Sequence, residues 1–312
     1  FFLAASESVA LFPFVRTGIE YVQPGEMIIL HQNGEMEKKR FAAQNTRMAH
    51  CMFEWIYFAS PGSNLEGKNV YETRWRLGEE LARVESLPVN SAEYVVVCVP
   101  ETSKPAADGY AYALSLPSKD GLLRNRYVGR TFIEAGSWGD RVHEKFSINR
   151  AAMQGKKVIL VEDSIVRGNT MKELVQRVRE EGGAKEVHAR ISCPPILNPC
   201  FYGIDMSSFS ELIAVKHFVS NPSQSHREMS GGEIAQIKRE LGVDSLLYQS
   251  WDGLLNALQI GQNKLCLACL NGEYLTPHGK KLSHEAFARD APITSKEAIY
   301  SPALGDLKKK NS

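Results

Sequence analysis

The chain reads as an α/β protein in which a parallel sheet is flanked by helices. Three observations predict this. Short apolar, β-branched runs at residues 94–99 and 157–161 read as buried parallel strands, and residues 187–192 read as another strand. Helical patterns lie between them, and strand–helix–strand order favours βαβ units. The second run ends in two adjacent acids, then a short loop and a helix, the order found at the ligand-binding edge of open α/β sheets.

The elements follow in order. Residues 1–45 are strand-rich, with Phe1-Phe2-Leu3-Ala4-Ala5 reading as part of a strand and turn chemistry at Pro24-Gly25 and Asn33-Gly34. Residues 70–88 are helical, with Leu77, Leu81 and Val84 spaced for one face. The strand at 94–99 runs into the turn Pro100-Glu101-Thr102-Ser103, and Pro105-Ala106-Ala107 opens a helix, where a missing proline N–H costs little. A helix over 170–181 places Leu174, Val175 and Val178 inward and stops at Gly182-Gly183. After the strand at 187–192 the chain turns helical beyond Tyr202, with helices predicted at 232–241 and 251–260. Lys308-Lys309-Lys310 reads as a solvated tail, and no internal repeat or low-complexity tract interrupts the chain.

Composition narrows the classes. At 312 residues the chain holds one large domain or two ordinary ones. A net charge of +1 gives no reason to expect nucleic acid or a membrane surface. No apolar run approaches the roughly 18 residues that span a bilayer, and no signal peptide is visible. Six cysteines are too sparse for a small disulfide scaffold, so a reducing cytoplasm is the expected setting.

The stretch Val158-Ile-Leu-Val-Glu-Asp-Ser-Ile-Val-Arg-Gly-Asn-Thr170 carries the chemistry. Backbone N–H groups of Arg167, Gly168, Asn169 and Thr170 stand at a helix start, where they lack intrahelical partners and suit a phosphate monoester. Gly168 permits close approach, and the Thr170 hydroxyl can cap the helix or bond the phosphate. Ser164 lies in the same loop. Glu162 and Asp163 are placed to face ribose hydroxyls and to help hold magnesium. The bland alternative is a buried strand, an acidic turn and a capped helix.

This stretch resembles the phosphoribosyl pyrophosphate (PRPP) motif of type I phosphoribosyltransferases. Ser6-Glu7-Ser8-Val9-Ala10-Leu11, Phe53-Glu54-Trp55-Ile56-Tyr57-Phe58-Ala59, Arg126-Tyr127-Val128-Gly129-Arg130-Thr131-Phe132 and Pro199-Cys200-Phe201-Tyr202-Gly203-Ile204-Asp205 extend the likeness. Together they look like the glutamine PRPP amidotransferase (amidophosphoribosyltransferase) family, over residues 1 to about 275 in the same order. The resemblance implies a type I phosphoribosyltransferase fold at 46–215. It also implies a remnant of a glutaminase domain at 1–45 and a helical region with cluster cysteines and tail at 216–312. The implied activity is the opening step of purine synthesis, in which PRPP and ammonia give phosphoribosylamine and pyrophosphate.

The resemblance makes residues 100–103 the pyrophosphate loop, with Thr102 and Ser103 as ligands and Thr102 joining Glu162 and Asp163 on magnesium. Without it, a Pro-containing strand-to-helix turn is the simpler reading. Glu101 stands where the family usually has Asp, and Lys104 is unusual; that cation can strengthen diphosphate binding or crowd the metal. A basic, Gly-containing loop is suited to closing over a polyanion. The family's closing loop maps onto Arg124, Arg126, Tyr127 and Arg130, with Arg141 and Lys145 as further cations.

Taken alone, Cys266-Leu267-Ala268-Cys269 is a zinc half-site, a redox pair or two buried thiols. With Cys51 and Cys200 in their motifs, the family's iron–sulfur branch implies a [4Fe–4S] cluster on these four. Cys98 and Cys193, at strand ends, read as buried small residues. The family's amino-terminal cysteine and most of its glutaminase half have no counterpart here, so the chain reads as beginning in mid-domain and glutamine hydrolysis is not expected of it. A fragment is the preferred account, a natural ammonia-dependent or split enzyme the alternative. Ser60 replaces a common family Arg, and residues 218–231 look longer than usual. Purine nucleotides as feedback ligands and a homo-oligomer are the implied partners. The rival function is a PRPP-sensing regulator on the same fold, but no helix-turn-helix stands out. A nucleobase salvage enzyme is a third reading.

Overall fold

The computed structural model describes residues 2–15, 17–41, 47–125, 145–206, 208–218 and 227–290. In chain order, β1 (Glu26–Leu30) and β2 (Met36–Arg40) form an antiparallel hairpin closed around Asn33 and Gly34, and Gly34 takes the positive φ of 90° that the turn needs. Residues 2–5, expected in a strand, lie outside regular structure; their apolar side chains are exposed and no neighbouring strand pairs with them. β3 (His50–Cys51) precedes a short helical turn, Glu54–Phe58. Helix α1 (Val70–Arg83) starts where the Asn69 side chain accepts the Glu72 N–H, an N-cap bond.

The central sheet then assembles. β4 (Tyr94–Cys98) is followed by α2 (Lys104–Ala113), and a hairpin of β5 (Leu122–Arg124) and β6 (Phe146–Ile148) intervenes before β7 (Lys157–Glu162). After α3 (Asn169–Glu180) come β8 (Glu186–Ile191), α4 (Gly231–Leu241), β9 (Ser245–Tyr248) and α5 (Trp251–Leu258). The strand order is β9-β8-β7-β4, every pair parallel. β10 (Leu265–Cys266) leaves this sheet and pairs with β3, and α6 (Pro277–Asp290) closes the described chain.

Period-two alternation splits the strand residues between two cores. Val95, Val97, Val158 and Leu160 face Leu174, Val175 and Val178 of α3 and Ile237 and Leu241 of α4. Val96, Cys98, Ile159 and Val161 face Leu81 of α1 and Ala106, Ala107 and Tyr110 of α2. A third core joins Met52, Phe53 and Trp55 to Leu254, Leu258, Leu267 and Phe287, so early and late segments pack together. Cys98 and Cys193 are buried, as their strand-end positions implied.

The predicted helix at 70–88 ends five residues early. Val84 is half exposed, and Glu85 turns inward to a two-bond pair with Arg190, at 2.5 and 3.1 Å, where both side chains are 2% exposed. Helices α1 and α2 cross at two glycines. A methyl on Gly78 would overlap the Ala106 carbonyl oxygen, and one on Gly109 the Trp75 carbonyl. Gly78→Ala therefore forces the helices apart and is expected to cost about 1–3 kcal/mol, as overpacking does. Thermal denaturation checks this; an unchanged midpoint would remove the close crossing.

Candidate functional site

Register decides what meets at the sheet's carboxyl edge. Cys98 stands opposite Val161, and the next residue's N–H, that of Val99, donates to the Val161 carbonyl at 2.9 Å. The turn after β4 is thereby set beside the acids that end β7. The Pro100–Glu101 peptide within that turn is cis. The Thr102 hydroxyl donates to an Asp163 carboxylate oxygen, and the Ser164 hydroxyl donates to the other at 2.6 Å. The Asp163 N–H donates to Glu162 at 3.1 Å. Asp163 is 4% exposed.

Burial raises both carboxyls. Glu162 is pushed well above the usual carboxylate range by desolvation and then by the Asp163 charge beside it. Burial pushes Asp163 up as well, against the Ser164 and Thr102 hydroxyls, which hold it down. A buried acid next to a half-buried one favours a divalent cation, because the cation relieves desolvation and mutual repulsion together.

The phosphate loop follows. Gly168, at φ 84°, is the N-cap of α3, and the helix takes no side-chain cap bond. The Thr170 hydroxyl thus does not cap it, one of the two roles the sequence allowed: the left-handed Gly168 makes the turn without a side chain. The N–H groups of the first turn, as in any helix, lack intrahelical partners. Arg167 binds Glu211 at 2.6 Å, so its guanidinium is engaged on the rim. A Cβ at Gly168 would also meet the Ile213 side chain.

On the other side, Ser103 is 1% exposed and its hydroxyl donates to the Val99 carbonyl at 2.5 Å, so this side chain stabilises the turn and faces inward. Lys104, expected either to strengthen diphosphate binding or to crowd the metal, donates to both Asp108 carboxylate oxygens at 2.6 Å, one helical turn on. Arg124, at the end of β5, stands 3.5 Å from Glu101 and so borders the turn. Its neighbour Asn125 donates its N–H to the Lys145 carbonyl at 2.9 Å, and the Lys145 charge bears on Glu162. Arg126, Tyr127, Arg130 and Arg141 lie outside the described residues.

Three residues near this edge escaped sequence reasoning. Tyr57 is half exposed, and burial, then the charges of Asp163 and Glu162, raise its hydroxyl's pKa. Arg74, on α1, is buried beside Asp163. Glu211 holds Arg167. Only Arg74 left a sequence signal: a charge at the apolar stripe position between Val70 and Leu77.

The cysteines gather elsewhere. Cys51, Cys200, Cys266 and Cys269 line one cavity of about 560 Å³, with Phe53, Ile204, Met206 and Leu275 among its apolar walls. Pairing of β10 with β3 sets Cys266 directly opposite Cys51. Burial pushes the Cys51 thiol up to about 11 and raises Cys266 and, further, Cys269. Among the described residues no three His, Cys, Asp or Glu side chains form a group that could hold a metal ion. The thiols share a cavity without forming such a cage, and their softness suits iron–sulfur ligation.

The sheet, its acid-ended strand and the phosphate loop define a phosphoribosyl transferase domain, and residues 74–196 match the family model of that description. The chain is, over most of its length, similar to amidophosphoribosyltransferases. It is 43% identical to that of Methanothermobacter thermautotrophicus over 277 residues, 88% of this chain and 54% of the relative. The Bacillus subtilis protein is 40% identical over 284 residues, 88% and 54%. Among solved structures, glutamine PRPP amidotransferase from B. subtilis complexed with ADP and GMP superposes with TM-score 0.71 at 40% identity, covering 87% of this chain and 56% of that one. A structure described as the allosteric regulatory enzyme of purine biosynthesis gives 0.73 at 39%, covering 93% and 59%. The resemblance read from the motifs is borne out, and the fold is that of type I phosphoribosyltransferases. The chain spans about half the length of the curated relatives it matches.

The raised acids give a prediction with a definite sign. A folded-state pKa above the unfolded value means the native state binds protons more tightly, so its stabilising contribution is present at low pH and lost as pH rises through the raised value. Near pH 8 without divalent cation, that stabilising contribution is diminished and the raised Glu162 carboxyl costs the fold stability. Glu162→Gln is expected to raise the melting temperature there by about 2–4 °C, the equivalent of about 1 kcal/mol, and by less near pH 5. Denaturation in chelator at both pH values checks it; a lower melting temperature at pH 8 would contradict it.

Proposed function

We propose that the chain is the PRPP-using part of an amidophosphoribosyltransferase, forming 5-phosphoribosylamine and pyrophosphate from PRPP and ammonia in the cytoplasm, at the opening of purine synthesis. The observation that carries this reading is the pairing of Thr102 with Asp163, in a chain 40–43% identical to amidophosphoribosyltransferases. In this reading the 5′-phosphate sits on the N–H groups at residues 167–170 and the start of α3. The ribose hydroxyls meet Glu162 and Asp163, and the diphosphate lies along residues 100–103 under Arg124, with Arg126, Tyr127 and Arg130 closing over it. Ser164 orients Asp163, and Ser103 holds the turn in shape.

Magnesium, with Thr102, Glu162 and Asp163 as ligands, would supply charge neutralisation of the leaving diphosphate. The residues themselves position the reactants and exclude water. The C1–O bond to diphosphate breaks as the ammonia lone pair forms C1–N, through a state with oxocarbenium character. Pyrophosphate leaves with the bonding electrons, and the surplus proton on nitrogen passes to solvent. Positioning and leaving-group stabilisation carry the rate, and no single general base is assigned.

The cavity thiols are the proposed ligands of a [4Fe–4S] cluster that fastens early and late segments together. The homo-oligomer and purine-nucleotide feedback belong to the same reading, supported by the ADP and GMP named for the B. subtilis structure.

Pyrophosphate release from PRPP and magnesium, with ammonia, glutamine or a nucleobase offered separately, tests the reaction. Turnover with ammonia is expected; activity only with a base would sink it. Asp163→Asn is expected to lower turnover by about 10²-fold or more, the scale of lost charge positioning. For the cluster, anaerobically purified protein is expected to carry on the order of four irons and four sulfides per chain, reduced in Cys266→Ser. Zinc-loaded, colourless protein would refute it.

A further inference from the structure

Arg74 is 1% exposed, and a charge taken so far from water is costly unless its donors are used. Among the described residues it forms no ion pair. Its Nε donates to the Trp55 carbonyl at 2.7 Å and one terminal nitrogen donates to the Ala59 carbonyl at 2.8 Å, while the other, Nη1, has no hydrogen-bond partner. Both acceptors belong to the short helical turn after β3, where the Ala59 N–H donates to the Glu54 carbonyl at 3.0 Å. Carbonyls leaving a helical turn lack partners in the chain direction, and one guanidinium serves two of them with a rigid fork. The same turn buries Trp55 and Ile56 and leaves Tyr57 and Phe58 half exposed.

We propose that Arg74 is a positioning residue of the transferase site: it clamps the turn carrying Tyr57 to α1, and so holds that turn at the sheet edge where Glu162 and Asp163 stand. Packing ties this turn to the acid-bearing edge: Trp55 and Ile56 share one core with Val166, in the loop that follows the acids, and with Cys193, just past the end of β8. The Asp163 charge accordingly bears on both Arg74 and Tyr57. Glu7 supports the far side of the same turn, accepting the Ser60 N–H and the Ser63 hydroxyl, each at 2.7 Å. A methionine or leucine at position 74 would fill the volume but leave two carbonyls unserved, which explains an arginine on this apolar stripe.

The inference rests on the proposed PRPP reaction, and two readouts keep the two apart. The first is a double-mutant cycle on magnesium-dependent pyrophosphate release with ammonia, using Arg74→Met, Arg74→Lys and Tyr57→Phe. Arg74→Met is expected to lower kcat/KM for PRPP by roughly tenfold or more, the scale of a displaced positioning group, with Arg74→Lys recovering most of it. In the Tyr57→Phe background the same change is expected to cost less than about twofold, because residues acting as a unit are not additive. Losses that simply multiply, or a lower melting temperature with turnover intact, would overturn the proposal. The second readout needs no substrate: the Ala59 amide is expected to exchange faster in Arg74→Met than in the unmodified chain. Unchanged exchange overturns the clamp even where the unmodified chain turns nothing over, and that lack of turnover overturns the functional reading alone. Should Arg74→Met not fold, Arg74→Gln takes its place in both experiments.

Discussion

The parallel pairing of β4 with β7 is the constraint on which the candidate site depends. Neither the turn at residues 100–103 nor the acids at 162–163 is distinctive alone. In-register pairing of Cys98 with Val161 brings the two strand ends to one edge, and the Thr102 hydroxyl then reaches Asp163. Pairing this deep is fixed by burial on both faces: shifting either strand by one residue would send Val96 and Val97 to the wrong cores. The helices that supply those cores hold this edge in place. The glycine crossing lets α1 pack closely on α2, and the charge of Arg74 on α1 bears on Asp163.

Much of this was legible in the sequence because period and punctuation agreed. Val158 to Thr170 read correctly as strand, acids, loop and helix, since a four-residue apolar run, a glycine and an amphipathic pattern each report a local preference. The four motif cysteines were named, and they do line one cavity. What sequence could not show was where side chains turn. Ser103 reads as a phosphate ligand but faces the Val99 carbonyl, and Lys104 reads as an added cation at the diphosphate but answers Asp108. Those choices are made by three-dimensional neighbours. Residues 2–5 of the apolar amino-terminal run are not a strand for a related reason, since an apolar run becomes a strand only where another pairs with it, and none of the described strands does.

The two chemical centres are built on opposite logics. At the sheet edge, charge is concentrated: buried Asp163 and half-buried Glu162 stand together with raised affinity for protons, an arrangement that a cation would relieve. In the cysteine cavity, burial raises the Cys51, Cys266 and Cys269 thiols and so favours their protonated forms, which a bound metal centre would displace. The first arrangement favours reversible binding and the second favours a permanent structural group. This fits the proposed division between a PRPP site and a cluster that fastens β3 to β10.

The most direct test of the central claim is calorimetric titration of PRPP into the chain with and without magnesium, repeated on Thr102→Val. The pairing of turn and acids predicts one saturable, magnesium-dependent site per chain, weakened by about tenfold or more when the hydroxyl between them is removed. Binding that ignores magnesium, or that is unchanged in Thr102→Val, would contradict the account.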